Sequence, residues 1–188
     1  GLGDGLRTGA KLAPFYALLY GKFAKDYRVY VFSQKNVMPE KYSTRKMAKD
    51  MREAMNILDI KNADVIGVSL GGMIAQHLAA DYPEVVKKLV LVVTAARKNQ
   101  YTQSAVSGWI EMAKRGDYRK LMIDSLKKMY TKNYIEKNQW AMGLAVKVGK
   151  PKSFEKFITM GYACLYHDAY EKLEKNQAPT VGLGGALD

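Results

Sequence analysis

The sequence is poor in cysteine and histidine, and this scarcity excludes several classes of protein. The one cysteine, Cys164, leaves no partner for a disulfide among the 188 residues and is typical of a reducing cytoplasm. We interpret it as a small buried hydrophobic residue. The two histidines, His77 and His167, belong to no His-x-x-x-His or Cys-x-x-Cys motif, so we expect no metal site. No Gly-x-Gly-x-x-Gly nucleotide fingerprint is present either, and we expect no cofactor.

Long hydrophobic runs are also missing. The longest, residues 89–96, is far shorter than the ~18 residues of a membrane span, and no signal peptide pattern is visible. We therefore expect no membrane span and a cytoplasmic location. The chain starts at Gly1 without a methionine and stops at Asp188 directly after an apolar run, and we interpret both ends as truncated.

The net charge of +12 raises the question of a nucleic-acid partner. The lysines, however, are spread along the whole chain and form no basic stripe with interleaved aromatic residues. A solvated surface explains this pattern more simply, so we expect no nucleic acid.

A content of 48% hydrophobic and 26% charged residues predicts an ordinary globular protein. The sequence leaves its oligomeric state open.

The most informative stretch is a Gly-x-Ser-x-Gly-Gly turn at residues 67–72. A β-branched run precedes it and a helical pattern with Met73, Ile74, His77 and Leu78 on its apolar side follows it. Such a strand, tight turn and helix form a nucleophile elbow, in which Gly67 and Gly71 keep side chains away from Ser69. Gly72 allows close approach of helix and sheet. The alternative is an accidental turn without chemistry.

The rest of the chain alternates strand and helix patterns. Apolar runs at residues 28–32, 63–68 and 85–93 predict buried strands, and the segments between them predict helices. An amphipathic helix is predicted over residues 11–24, and another carries Met47, Met51, Met55 and Leu58 as a core stripe. This order predicts an α/β fold with a mostly parallel sheet flanked by helices.

Residues 97–177 contain no convincing strand. Their breaks predict helices at about 101–115, 117–130, 133–147, 151–163 and 166–175. A last strand follows Pro179. We therefore divide the chain into core residues 1–96, a helical segment 97–177 and a return to the core at 178–188.

The elbow, with Tyr82-Pro83-Glu84-Val85-Val86 after its helix, resembles the α/β-hydrolase family over essentially the whole chain. In that family an all-helical insertion at residues 97–177 is a cap over the active site. The resemblance implies Ser69 as nucleophile and the backbone N–H groups of Leu70 and Leu2 as the oxyanion hole. It also implies Asp188, after the last strand, as the acid that orients the catalytic histidine.

Neither histidine is well placed to be that base. His77 lies eight residues along the helix from Ser69, about 12 Å away. His167 lies in the helical segment beside Asp168. It could act as the base only if this segment folded over the serine, and we keep that as the alternative. The family's histidine follows the acid, so we expect the base to lie outside these residues.

These features favour a serine-nucleophile hydrolase that cleaves a carboxylic ester, lipid ester or thioester of a small-molecule acyl substrate through an acyl-enzyme. The alternative is a non-catalytic protein of the same fold that binds a small ligand or partner. Peptidase, haloperoxidase and carbon–carbon hydrolase chemistries share the scaffold, and the fold does not choose among them.

Overall fold

The computed structural model describes residues 2–6, 12–140, 143, 146 and 150–185. Their architecture is a three-stranded parallel sheet flanked by helices, which confirms the predicted fold class. The strands are β1 (Ala63–Val68), β2 (Val86–Val92) and β3 (Thr180–Leu183), with β2 in the middle. The helices with assigned bounds are α1 (Ala13–Leu19), α2 (Thr44–Ile57), α3 (Leu70–Asp81), α4 (Gln100–Lys114), α5 (Tyr118–Met129), α6 (Lys132–Lys137) and α7 (Glu155–Leu165).

Helices α2 and α3 contribute a large share of the core beside the sheet. Ser43 caps α2, since its hydroxyl accepts a hydrogen bond from the backbone N–H of Lys46. Met47 and Met55 are buried and Met51 packs partly buried against them, which confirms the methionines of the predicted stripe. Leu58 is 49% exposed, so its predicted place in the core is wrong. Helix α3 is buried along almost its whole length because α2 packs on it and it also lies against the sheet.

The segment between β2 and β3 is helical, as expected, and α4 packs along α7. Gly161 on α7 allows this close approach, because a Cβ there would lie 2.8 Å from Cγ1 of Ile110. A predicted helix at 166–175 is instead a 3₁₀ turn over Tyr170–Lys175. Part of the predicted helix at 133–147 lies outside the described residues.

Two predictions for the first third of the chain are wrong. The helix predicted over residues 11–24 is the shorter α1, none of whose residues is buried. The run at residues 28–32 is not a strand, and Val29, Tyr30 and Val31 are exposed. Strand-forming side chains make a strand only when the backbone pairs with a neighbour, and no described strand lies beside this run.

The carboxyl ends of the three strands meet at one edge of the sheet. Val68 pairs with Val92, and Val92 pairs with Leu183, so the chain leaves each strand at the same level. Ile66 and Val68 alternate with Gly67 and are half-exposed on the face of the sheet opposite α3. In the described part of the chain, no helix is long and apolar enough to cross a membrane.

Candidate active site

Ser69 lies between the end of β1 and the start of α3 in a strained backbone conformation. Its φ is 53° and its ψ is −122°, a combination that residues other than glycine rarely adopt. Strain of this kind costs about 1–3 kcal/mol and persists only where the surroundings enforce it. Ser69 lies at the carboxyl edge of the sheet, and its strained conformation is the turn that the Gly-x-Ser-x-Gly pattern predicts.

The neighbouring strand and helix hold both backbone polar groups of Ser69. Its N–H donates to the carbonyl oxygen of Val92 at 2.9 Å. Its carbonyl oxygen accepts from the N–H groups of Gly72 at 2.8 Å and Met73 at 3.2 Å, and from Oγ1 of Thr94 at 2.8 Å. These bonds fix the turn from two sides.

Two glycines allow the turn to close, and they are Gly67 and Gly72. A Cβ on Gly67 would lie 2.7 Å from Cα of Gly72, and a Cβ on Gly72 would lie 2.6 Å from Cβ of Thr94. A Cβ on Gly71 would meet no described heavy atom within 4 Å. Gly71 therefore makes no close contact with the described residues, and its expected role of keeping side chains away from Ser69 stays a prediction. The expected role of Gly72 in close helix–sheet contact is confirmed.

Leu70 is the first residue of α3, directly after the serine, and its side chain is buried. The first N–H groups of a helix have no acceptor within that helix, and they carry the positive end of its dipole. The N–H of Leu70 is thus suited to stabilise a developing negative charge at the turn.

Leu2 begins a 3₁₀ turn, Leu2–Gly5, that is packed against α7. Gly5 makes the closest approach, since a Cβ there would lie 2.6 Å from Cα of Phe157. Asp4 forms an ion pair with Lys156 at 3.2 Å and accepts the N–H of Gln34 at 2.9 Å. The sequence shows a glycine loop here but gives no sign of this contact with α7.

Asp188, the predicted acid, lies outside the described residues. The strand that leads toward it ends beside the serine edge, because the N–H of Val93 donates to the carbonyl oxygen of Leu183 at 2.7 Å. The structure thus brings Ser69 and Leu70 together and places the end of β3 two strands from β1.

Both histidines are buried in one cluster away from solvent. His167 is 2% exposed, with Nδ1 2.9 Å from Oγ1 of Thr44 and Nε2 3.4 Å from Oε1 of Gln76. Burial, with the nearby His77, lowers the pKa of His167 to about 4. His77, which the helical pattern places on the apolar side of α3, is 4% exposed and so belongs to the core. With both ring nitrogens engaged, His167 is not free to fold over the serine.

Other reactive groups do not add to the site. Cys164 is buried, as expected, and burial raises the pKa of its thiol to about 12. Among the residues that the structure describes, no three His, Cys, Asp or Glu side chains lie together as a metal site would require. A surface cleft of about 320 Å³ between α4 and α7 is lined by Lys98, Ser107 and Tyr162 among others, but by neither Ser69 nor Leu70.

The sequence alone does not identify Thr94 as a residue of the site. Its hydroxyl donates to Ser69 and its side chain lies against Gly72. The available signal is its position, two residues beyond β2 at the level of the elbow.

Two curated proteins are similar to parts of this chain in sequence. A poly(3-hydroxyalkanoate) depolymerase from Ectopseudomonas oleovorans is 52% identical over 50 residues, 27% of this chain and 18% of that protein. A putative carbamate hydrolase from Cronobacter sakazakii is 30% identical over 87 residues, 43% of this chain and 32% of that protein. The matches thus span a third or less of these curated relatives.

Solved structures match over more of the chain. An α/β-hydrolase enzyme from a Medee basin deep-sea metagenome library superposes with a TM-score of 0.80 at 22% identity, over 95% of this chain and 67% of that one. A thermophilic esterase from Thermogutta terrifontis gives a TM-score of 0.72 at 17% identity, over 88% of this chain and 64% of that one. Identities this low establish the shared fold alone. The family model described as alpha/beta hydrolase fold matches residues 8–148, three quarters of the sequence, and the chain therefore belongs to the α/β-hydrolase family.

Proposed function

We propose that the protein is a serine-nucleophile hydrolase that cleaves a carboxylic ester, lipid ester or thioester through an acyl-enzyme. The observation that carries this proposal is the strained backbone of Ser69, at the junction of β1 with α3. A strained conformation at a strand-to-helix turn is the signature of a nucleophile elbow.

In the proposed reaction, Ser69 Oγ attacks the acyl carbon and its proton passes to a histidine. The negative charge that develops on the acyl oxygen is stabilised by the N–H groups of Leu70 and Leu2. The tetrahedral intermediate expels the alcohol or thiol, which takes the proton from the imidazolium. Water activated by the same histidine then attacks the acyl-enzyme, releases the acid and restores the serine.

We further propose that this histidine lies outside the 188 residues and is oriented by Asp188. Only two histidines occur in the sequence, and both are held in the buried cluster with Thr44 and Gln76. A pKa of about 4 would also leave His167 a weak base at neutral pH. A third, accessible imidazole is thus required for this mechanism.

The preference for an ester substrate rests on the relatives. Two similar proteins are a poly(3-hydroxyalkanoate) depolymerase and a thermophilic esterase, and the second name denotes cleavage of ester bonds. We propose that residues 97–177 act as a cap that shapes the acyl pocket, since they form the helices between β2 and β3.

A cytoplasmic location is proposed from the one reduced, buried cysteine.

The test is hydrolysis of p-nitrophenyl esters of increasing acyl length by the full-length protein that contains these residues. Ser69→Ala should reduce kcat at least about 1,000-fold, because no other group replaces the nucleophile. Ser33→Ala is the matched control, since Ser33 is exposed and lies outside residues 97–177, and it should retain wild-type activity. Equal rates for wild type and Ser69→Ala would contradict the proposal. A wild type that binds the esters without cleaving them would favour the non-catalytic alternative.

A further inference from the structure

The end of β2 makes an unusual turn toward the serine. Val93, the residue after the strand, has a φ of 43°, which a β-branched side chain rarely adopts. Its N–H still donates to Leu183 of β3, so the chain stays attached to the sheet while it turns. The next residue, Thr94, therefore reaches the first turn of α3 instead of continuing along the strand.

Two groups of the Thr94 side chain contact this first turn. The hydroxyl donates to the carbonyl oxygen of Ser69 at 2.8 Å. The carbon atoms lie against Gly72, where an added Cβ would lie 2.6 Å from both Cβ and Cγ2 of the threonine. One side chain thus supplies both a hydrogen bond and a close packing contact.

The carbonyl that Thr94 contacts belongs to the peptide unit that matters most for the proposed chemistry. Because a peptide bond is planar, the C=O of Ser69 and the N–H of Leu70 point in opposite directions within one rigid plane. A bond that fixes the carbonyl therefore fixes the direction of the N–H. This N–H is the proposed oxyanion donor.

We propose that Thr94 is a positioning residue, whose hydroxyl orients the Ser69–Leu70 peptide so that the Leu70 N–H faces the reacting oxygen. This inference rests on the proposed hydrolase function of Ser69. Val92 completes the arrangement, since its carbonyl oxygen accepts the N–H of Ser69 at 2.9 Å. The end of β2 thus holds both the N–H and the carbonyl group of Ser69. Among the hydrogen bonds described for Ser69, the one from Thr94 is the one that a side chain supplies.

Four variants of the full-length protein separate the hydroxyl from the packing contact. Thr94→Val keeps the shape and removes the hydroxyl, whereas Thr94→Ser keeps the hydroxyl and removes the methyl group. Thr94→Ala lacks both groups. Comparison of Thr94→Ser with Thr94→Ala therefore tests the hydroxyl a second time, in side chains that both lack the methyl group. Ser69→Ala shows which labelling comes from the nucleophile. The measured quantities are the maximal rate of inactivation by a fluorophosphonate, the half-saturating concentration of the probe and the midpoint of thermal unfolding.

We expect Thr94→Val to lower the maximal inactivation rate about 10-fold, because a donor displaced by a fraction of an ångström loses part of a stabilisation worth about 100-fold or more. The half-saturating concentration should stay within about twofold. Thr94→Ser should restore the rate, and Thr94→Ala should react about 10-fold more slowly than Thr94→Ser.

The alternative, a purely structural role, gives a different result. It lowers the unfolding midpoint of Thr94→Val and leaves the inactivation rate of the folded protein at the wild-type value. That outcome would overturn the inference about Thr94. It would leave the proposed function standing if the wild type is labelled and Ser69→Ala is not. If Thr94→Val does not fold, the Ser and Ala pair decides, and equal rates for these two would also overturn it. Failure of the wild type to react at Ser69 would overturn both proposals.

Discussion

The imidazole rings of His77 and His167 meet edge to face inside the core, with centroids 5.1 Å apart and planes at 78°. They join three parts of the chain, because His77 lies on α3 and His167 contacts Thr44 at the start of α2. The facing charged groups are Asp81, Asp168, Lys172 and Arg45. Burial lowers the pKa of both histidines, so both imidazole rings are neutral at pH 7.

This cluster predicts a loss of stability in mild acid. The pKa of His167 is about 4 in the folded protein, against about 6.5 for an exposed histidine, so the unfolded chain binds the proton first as the pH falls. The free energy of unfolding should therefore decrease between about pH 6.5 and pH 4 and level off below. The expected decrease from His167 is about 3 kcal/mol.

Denaturant unfolding at several pH values measures this decrease, and His167→Gln isolates the histidine. The variant should show a shallower dependence than wild type across the same interval, whatever its overall stability. Asp81 does not confound the comparison: burial acts to raise its pKa, but hydrogen bonds from Arg45 and Lys172 lower it, so its contribution is lost below about pH 4. Parallel curves for the two proteins would rule out the histidine as the cause.

The elbow predicts opposite results for two neighbouring glycines. Gly67→Ala would place a Cβ 2.7 Å from Cα of Gly72 and 2.9 Å from Cβ of Ala75, so we expect a destabilisation of about 1–3 kcal/mol. Gly71→Ala is the matched control, because its Cβ meets no described atom within 4 Å and alanine favours a helix. Thermal unfolding of both variants checks this. A Gly67→Ala protein as stable as Gly71→Ala would contradict the packing described for β1 and α3.

A second glycine pair tests the proposed role of Leu2. Gly5→Ala would place a Cβ 2.6 Å from Cα of Phe157 and should push the Leu2–Gly5 turn away from α7. If the Leu2 N–H helps to stabilise the oxyanion, kcat for p-nitrophenyl acetate should fall about 10-fold or more. Gly3→Ala has no described atom within 4 Å of its Cβ and should match wild type. An unchanged kcat in a folded Gly5→Ala protein would exclude Leu2 as a donor.

The contact between Asp4 and Lys156 predicts a loss of stability on removal of the lysine. Both side chains are only 14% exposed, and Lys156 Nζ also donates to the carbonyl oxygen of Gln34 at 3.0 Å. Lys156→Ala leaves Asp4 without its charged partner and should cost about 1–3 kcal/mol. Lys152→Ala removes the same charge from an exposed position and should cost less than about 0.5 kcal/mol. Equal unfolding free energies for the two variants would show that the ion pair is not stabilising.

The parts of the fold that the sequence predicts are those in which local pattern and tertiary packing agree. Strand β1, the turn at Ser69 and helix α3 all have short-range signals, namely β-branched residues, glycines at fixed spacing and a helical apolar period. The methionine stripe of α2 is equally local. β1 and α3, which follow each other in the chain, pack together and α2 packs on α3, so the pattern and the structure coincide.

The failures arise where structure depends on a distant partner. Val29, Tyr30 and Val31 have strand propensity, but no described strand pairs with them. The bond from Thr94 to Ser69 joins residues 25 positions apart, and the ion pair of Asp4 with Lys156 spans most of the chain. Nothing in the local sequence signals these contacts.

The central claim is that Ser69 is the nucleophile, and the most direct measurement is the site of covalent modification. The full-length protein is treated with a fluorophosphonate, digested, and analysed by mass spectrometry for the phosphonylated peptide. We predict that the modification lies on Ser69 and that prior denaturation abolishes it, because reactivity depends on the folded turn. Modification of another serine, or none on Ser69 in a protein that hydrolyses esters, would contradict the account.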